Sequence, residues 1–346
     1  MTHKKSKVIV IGGFGFIGYH LVKGLLDWGY HVVVFGHRSD RTRRFFDEMA
    51  RGFPADLEMI EGEVLGDDLH HVLHDHLDIE GVFHLAAATA STQTLDEYEQ
   101  GSLIEFNCHM DSIVRDFCTA LLAHRTADAK SEPLKLLYVS SGEVYGSLFT
   151  TGKPLTEDMH CAFNPYAPGA CYPLSKLSGE MALIHGGFVW NWNIVRLQNP
   201  YGPLMNEKTL IPKLMKACAD AFAEGKGLFD LERGNDTRPY MYVDDAVSGI
   251  IDAYESGKTN QIYNICGPSV PLADLVRKAS KLFTNDRLLV TVNRGFLGDH
   301  RHMDTSKAKK DIAWFVVHPL EDGLKLTYDF YIKHATVERA MKKIGL

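Results

Sequence analysis

Tyr172 and Lys176 stand four residues apart in the stretch YPLSK, one helical turn apart and therefore on one helix face. An ammonium beside a phenol favours the phenolate and draws its pKa down from about 10. A tyrosine placed in this way can take the proton of a substrate hydroxyl while a hydride leaves the same carbon for a nicotinamide ring. The spacing alone decides little, because Tyr19/Lys23 and Tyr254/Lys258 repeat it. The first pair falls inside the helix expected after a glycine turn, and the second lies at a helix end near Gly257. Only Tyr172 follows a strand that ends in serines: LLYVSSGEVYG, residues 136–146. Ser141 there would share the hydrogen bond to the reacting hydroxyl. Glu143 lies two residues further on. Once the carbon is a ketone the neighbouring C–H becomes acidic, and a carboxylate at this place can remove that proton as a general base. The plainer use of such a glutamate is to bind a hydroxyl or cap a helix.

The elements that must carry these groups read as a βαβ series. Val8–Ile11 is a short β-branched run, followed by glycines and then by Ile17, Leu21, Val22, Leu25 and Leu26 at helical spacing, closed by Gly29. His31–Phe35 is the next strand, and further apolar runs follow at 57–60, 82–85, 134–139 and 194–197. Strands alternating with helices predict a doubly wound α/β fold, a parallel sheet covered on both faces. Residues 1–198 are expected to form an NAD(P)-binding Rossmann domain that also receives strands from about 235–266. Residues 199–346, where the pattern loosens, are expected to form a smaller, mainly substrate-binding region. Gly12, Gly15 and Gly18 follow the first strand and open the first helix, the setting in which a pyrophosphate sits against a helix N-terminus. At the end of the second strand there is no acidic residue to hold a ribose. Gly36 followed by Arg38 leaves room and charge for a 2′-phosphate, so NADP is expected over NAD.

Composition excludes some classes. The net charge of −7 argues against nucleic acid, since a duplex needs a basic face, and it leaves any anionic substrate to locally placed arginines. The six cysteines form no CxxC pair and read as reduced thiols. The basic start MTHKK is followed by four strand residues and glycines rather than a signal-peptide core, and no run approaches the roughly 18 apolar residues of a membrane helix. A cytoplasmic enzyme is the expectation. His70 and His74 in DDLHHVLHDHLD have metal-capable spacing but no third ligand, so they read as a surface helix. Asp244 and Asp245 read as carboxylates at a helix start.

Taken together, GGFGFIG (12–18), HLAA (84–87), Asn107, SSGEVYG (140–146), YPLSK (172–176), RLQNPYGP (196–203), RPYMYVDD (238–245) and DHRHMDTSKAK (299–309) resemble the extended short-chain dehydrogenase/reductases of the nucleotide-sugar epimerase/dehydratase family. The resemblance runs from residue 7 to about 320 in family order. It implies a Rossmann fold, a bound NAD(P), a nucleoside-diphosphate sugar as substrate and a homodimer built from two helices per subunit. Carried over residue by residue, Gly12, Gly15, Phe16, Ile17, Gly18, Glu63, Val64, Leu85, Ala86 and Ala87 would line the cofactor, with Arg38 at its adenosine end. Ser141, Tyr172 and Lys176 would be the catalytic triad. Asn107 resembles the asparagine that supports the active-site helix, and it is grouped on the substrate side with Asn199, Arg238 and Arg301, which resemble contacts to the diphosphate. A guanidinium fork matches phosphate oxygens well, with a structural salt bridge as its rival use.

The family's dehydratases carry Thr-Asp-Glu or Thr-Ser-Glu where this chain has Ser141-Gly142-Glu143, so the base is kept and the neighbouring acid is missing; Tyr145 and Ser147 are the candidates left to donate the proton. The stretch NPYAPGACYPLSK resembles that of nucleotide-sugar acid decarboxylases, with Gly169 where those have arginine. The expected activity is epimerisation or dehydration of an NDP-hexose through a 4-keto intermediate. An NADPH-dependent ketosugar reductase, a decarboxylase and a redox-sensing binding protein are the alternatives, the last disfavoured because Ser141, Tyr172 and Lys176 are all present.

Overall fold

A computed structural model of the chain describes residues 6–89, 100–125, 133–164, 166–167, 169–188, 190–293 and 298–343. The strands of the first part are β1 (Lys7–Ile11), β2 (His31–Gly36), β3 (Leu57–Glu61), β4 (Gly81–His84), β5 (Lys135–Ser141) and β6 (Asn191–Gln198). Between them run α1 (Phe16–Asp27), α2 (Asp40–Gly52), α3 (Asp68–Asp75), α4 (Gln100–Arg125) and α5 (Cys171–His185). Beyond Gln198 come β7 (Pro200–Tyr201), α6 (Leu210–Glu224), β8 (Gly227–Leu231), β9 (Thr237–Pro239), β10 (Met241–Tyr242) and α7 (Val243–Glu255). They are followed by β11 (Gln261–Cys266), β12 (Ser269–Pro271), α8 (Leu272–Thr284), β13 (Leu288–Val292), α9 (Ser306–Ile312) and α10 (Leu320–Lys343).

Seven strands pair in the order β11-β6-β5-β4-β1-β2-β3, all parallel. The strands read as unbroken apolar runs because both faces are covered, and alternate residues serve opposite faces. Val8, Val10, Val32, Val34, Leu137 and Val139 pack on one side with α1 and α7. Ile9, Ile11, Val33, Phe35, Leu136 and Tyr138 pack on the other with Val114, Phe117 and Leu121 of α4 and Leu183 of α5. The order reverses between β1 and β4, and the crevice at their C-terminal ends is where such sheets take a ligand. β6, read in the sequence as the apolar run 194–197, and the late strand β11 extend the sheet past β5.

A separate core joins α6 and α8 to the parallel pair β8/β13, with Leu214, Met215, Leu275, Val276 and Leu288 buried together. Asp245, at the start of α7, is 2% exposed. This carboxylate does not cap its own helix, as its place in the sequence implies. It accepts instead from the backbone N–H of Val317 (3.2 Å) and His318 (3.0 Å) and pairs with His318 Nδ1 (2.9 Å), anchoring the segment that leads into α10. Removing it takes the acceptor from two backbone N–H groups and from His318 at once, so Asp245→Ala is expected to cost about 2 kcal/mol, read as a lowered urea midpoint at unchanged slope.

Candidate active site

The glycine loop after β1 is shaped by close approach. Gly12 has φ +82, and a Cβ on it would lie 2.5 Å from the Ala86 backbone nitrogen, because Leu85 and Ala86 both donate to Ile11 O (2.9 and 3.0 Å). The HLAA segment, whose Leu85, Ala86 and Ala87 the resemblance places at the cofactor, is thereby pressed against the loop. Gly15 differs: a Cβ there would meet protein only at an ordinary 3.5 Å, so the fold itself does not demand glycine. What it leaves open is the approach to the start of α1. That helix has no side-chain cap and no acidic residue in its first turn, so its N–H groups and positive dipole end, at Phe16, Ile17 and Gly18, carry no competing acceptor from a cap. These residues fit a dinucleotide pyrophosphate.

At the adenosine end, Val64 is buried, and Glu63 shares an open depression with His37, Arg38, Arg41 and Asp68. The expectation of NADP rested on Arg38 being available to a phosphate. Its guanidinium is held instead by two carboxylates, Asp47 and Glu61 (3.2 Å), with the former contact the shorter, and it also donates to Arg43 O. A 2′-phosphate would have to displace both carboxylates. A reading arginine is worth about 1.5–3 kcal/mol, tenfold or more in affinity. Arg38→Ala is expected to alter the ratio of NADP to NAD dissociation constants by less than about threefold, measured by calorimetry, because here the charge is already neutralised.

The catalytic candidates converge where β5 ends. Ser141 closes β5 and accepts from Glu143 N (3.2 Å), turning the chain into the 3-10 turn Gly142–Tyr145. Tyr172, at the start of α5, is hydrogen-bonded to Ser141. Burial pushes its phenol up to about 12, while the Ser141 bond pulls it down and the Asp111 charge pushes it up again. The phenol is therefore protonated at neutral pH in the free protein. Lys176, one turn on, is buried and donates to Val139 O (3.0 Å) rather than to the tyrosine, and burial draws its pKa down. Asn107 is 2% exposed and faces no substrate surface. It accepts from Ala88 N (2.8 Å) and donates to Ala88 O (3.1 Å) and Ser175 Oγ (2.9 Å), so its place is the framework behind α5, a correction to grouping it with substrate contacts.

Glu143 stands on the same rim. It accepts from Gln198 Nε2 (3.0 Å) at the end of β6 and forms an ion pair with Arg301. Arg301 also donates through Nε to Asp299 (3.0 Å), and Arg238 meets the same carboxylate at 3.1 Å while bonding Asp236 at 2.7 Å. Arg238 and Arg301, read as two phosphate contacts, are thus joined through Asp299. Asn199 adopts φ +42, tolerable for asparagine, and its Nδ2 is buried with no partner, an amide donor held ready for an acceptor. The place of the missing acid beside Glu143 is taken by two side chains: a Cβ at Gly142 would fall 2.4 Å from Gln198 Oε1 and 2.5 Å from Met303 Sδ, both of which would have to shift. Tyr145 does not replace the acid. Its hydroxyl lies 2.8 Å from Asn264 Oδ1 and 3.1 Å from Thr156 O, and burial pushes it up to about 12. Ser147 is turned towards Ala162 O (3.2 Å). Sequence reasoning missed Gln198 and Asp299, whose partners are far away in the chain; only the type and place of Gln198, at a strand end, carried a signal. Among the described residues no group of three His, Cys, Asp or Glu side chains is placed to hold a metal.

A model of the NAD dependent epimerase/dehydratase family matches residues 8–266. The chain belongs to that family. It is an enzyme with the family's dinucleotide-binding fold, and the family's cofactor is NAD. Across 350 residues it is 27% identical to a dTDP-glucose 4,6-dehydratase of Xanthomonas campestris pv. campestris, covering 95% of this chain and 93% of that one. It is 24% identical over 343 residues to an Arabidopsis thaliana trifunctional UDP-glucose 4,6-dehydratase/UDP-4-keto-6-deoxy-D-glucose 3,5-epimerase/UDP-4-keto-L-rhamnose-reductase, spanning 96% of this chain but 48% of that longer one. Among solved structures, dTDP-glucose 4,6-dehydratase from Bacillus anthracis in complex with NAD superposes with a TM-score of 0.72 at 24% identity, covering 95% of this chain and 97% of the other. At that identity the likeness shows the fold.

Proposed function

We propose that the chain is an NAD-dependent epimerase/dehydratase of a nucleoside-diphosphate hexose, working through a 4-keto intermediate. The observation that carries this reading is the meeting of the Ser141–Tyr172 pair with Glu143 on one rim of the crevice, close to an unpartnered Asn199 amide and two arginines. Tyr172 takes the proton of the sugar hydroxyl, Ser141 orients that hydroxyl, and Lys176 supplies positive charge beneath the phenol. The nicotinamide supplies hydride acceptance and return. Glu143 then removes the proton next to the ketone, and Asn199, Arg238 and Arg301 hold the diphosphate.

Two observations rank the outcomes. With glycine rather than an acid at position 142, elimination lacks a group to protonate the departing hydroxyl, whereas epimerisation at the carbon beside the ketone needs only a proton returned to the opposite face, which water can supply; this favours epimerisation. Gly169 sits at φ +80, a conformation an arginine rarely adopts, which weighs against the decarboxylase reading. The division of labour falls near residue 198, with 1–198 holding the cofactor and 199–346 mainly the sugar nucleotide. Phe106 on α4 and Met181 and Ile184 on α5 are exposed apolar side chains that support a homodimer through those two helices. No described helix is long and apolar enough to cross a membrane, and all six cysteines are free thiols, which supports a reducing, cytoplasmic setting.

The test is mass spectrometry of products from a panel of nucleotide sugars incubated with the protein and NAD. An unchanged mass with a new sugar on chromatography is expected. Loss of water would mean dehydration, loss of carbon dioxide decarboxylation. No product until NADPH and a ketosugar are supplied would transfer the reading to a reductase.

A further inference from the structure

Beneath the catalytic helix lies a buried acidic group to which the reaction just described gives no part. Asp111 of α4 is 4% exposed, and it accepts from His84 Nε2 on β4 (2.7 Å) and from the Tyr138 hydroxyl on β5 (3.0 Å). The ring of Tyr138 carries the Lys176 ammonium on its face, with Nζ 4.8 Å from the centroid. Position 179 is glycine because a Cβ there would lie 2.4 Å from both Asp111 Oδ2 and the Tyr138 hydroxyl, so α5 rests directly on this pair.

The charges around Lys176 leave Asp111 a distinct part. From α5 itself comes Glu180, paired with Arg196 of β6; from β4 comes His84, with Arg115 of α4 beyond it; Tyr172 stands one turn before on α5. Glu180 is committed elsewhere. Arg196 grips it through Nη2 (2.6 Å) and Nε (3.0 Å), and Ser140 donates to it as well. His84 does not neutralise Asp111 either. Its Nδ1 is buried with no partner, and an imidazolium would put a charged N–H there with nothing to accept it. The ring is therefore neutral and donates from Nε2, and burial pushes its pKa down in the same sense. Asp111 keeps its negative charge, and that charge faces Lys176.

We propose that Asp111 is the positioning residue of the catalytic lysine: a buried carboxylate, fixed by His84 and Tyr138 behind the ring that carries the Lys176 ammonium, that holds Lys176 in its charged form. The proposal rests on the reading of Lys176 as a catalytic group. Burial lowers the lysine's pKa, and of the charges that raise it Asp111 is the foremost, ahead of Glu180. The Asp111 charge by itself raises the Tyr172 phenol, so its service to the reaction runs through the lysine: a Lys176 without its proton would leave that phenol with no positive charge beside it.

The experiment needs no sugar. Full-length protein carrying ε-13C-lysine, with NAD added, is titrated by NMR, and the Lys176 signal is assigned by its disappearance in Lys176→Met. Asp111→Asn keeps size and removes charge, and it is expected to lower the Lys176 midpoint by about one pH unit or more, a tenfold change in its acidity. Tyr138→Phe keeps the ring and the carboxylate and is expected to hold the midpoint within about a third of a unit. An unchanged or raised midpoint in Asp111→Asn overturns the proposal. Should that variant fail to fold, Asp111→Thr, also neutral and able to accept from Tyr138, carries the same two outcomes. Failure here is separable from failure of the proposed function, which would show as the absence of product from every nucleotide sugar while the lysine titration stands.

Discussion

Tyr172→Phe is expected to slow reduction of bound NAD by a turned-over sugar nucleotide by about a thousandfold, with cofactor affinity and melting temperature unchanged. General acid–base groups contribute about 10²–10⁴ to rate, and here one atom carries that role. Phenylalanine keeps the ring packed at the start of α5 and removes only the hydroxyl that bonds Ser141. The direction with pH follows from the same environment. Burial holds the free phenol up to about 12, so the base form is scarce at neutral pH and the rate of hydride transfer in the native protein should climb as pH rises. Rapid-mixing absorbance of the reduced nicotinamide measures both. A variant that retains a tenth of native hydride transfer would remove Tyr172 from the chemistry.

Glu143→Gln separates the second proton from the first. Reduction of NAD by the sugar nucleotide should persist, because Tyr172, Ser141 and Lys176 are untouched, while net product formation falls by about 10²–10⁴-fold and reduced cofactor accumulates on the protein. Solvent deuterium entering the carbon beside the ketone should vanish with it. The amide can still accept from Gln198 but can no longer balance Arg301, so a modest change in nucleotide affinity should accompany the loss of turnover. If hydride transfer disappears along with product, the carboxylate is part of the first step or of binding, and its assignment as base fails.

Much of the molecule is legible in local sequence. The βαβ series shows in uninterrupted Val/Ile/Leu runs because each strand feeds two cores at once, and a glycine loop followed by helical spacing announces the first turn of α1. Ser141, Glu143, Tyr172 and Lys176, the proposed catalytic groups, stand out in the sequence because strand end and helix start each carry their own signature. What stays hidden is the product of distance in the chain. Gln198 reaches Glu143 from another strand, Asp299 links two arginines, and Asp111 meets His84 and Tyr138 across a helix–sheet contact. A helical aspartate reads as solvated surface until the fold buries it. Arg38 failed as a guide to the cofactor for the same reason: the residue type suggested a phosphate, while Asp47 and Glu61, supplied by other elements, had already taken its charge. Asp245 likewise caps a segment dozens of residues away rather than the helix it begins.

The single amide of Asn107 has a mechanical consequence. It ties the backbone after β4, at Ala88, to Ser175 in the catalytic helix, while Lys176 ties that same helix to the end of β5 through Val139 O. Loop, helix and sheet edge therefore form one braced wall that cannot splay without breaking several buried hydrogen bonds together. The segments that carry Arg238 and Arg301 meet that wall through side chains instead, the Glu143–Arg301 pair foremost, so opening them would cost an ion pair and leave the brace behind the catalytic helix whole.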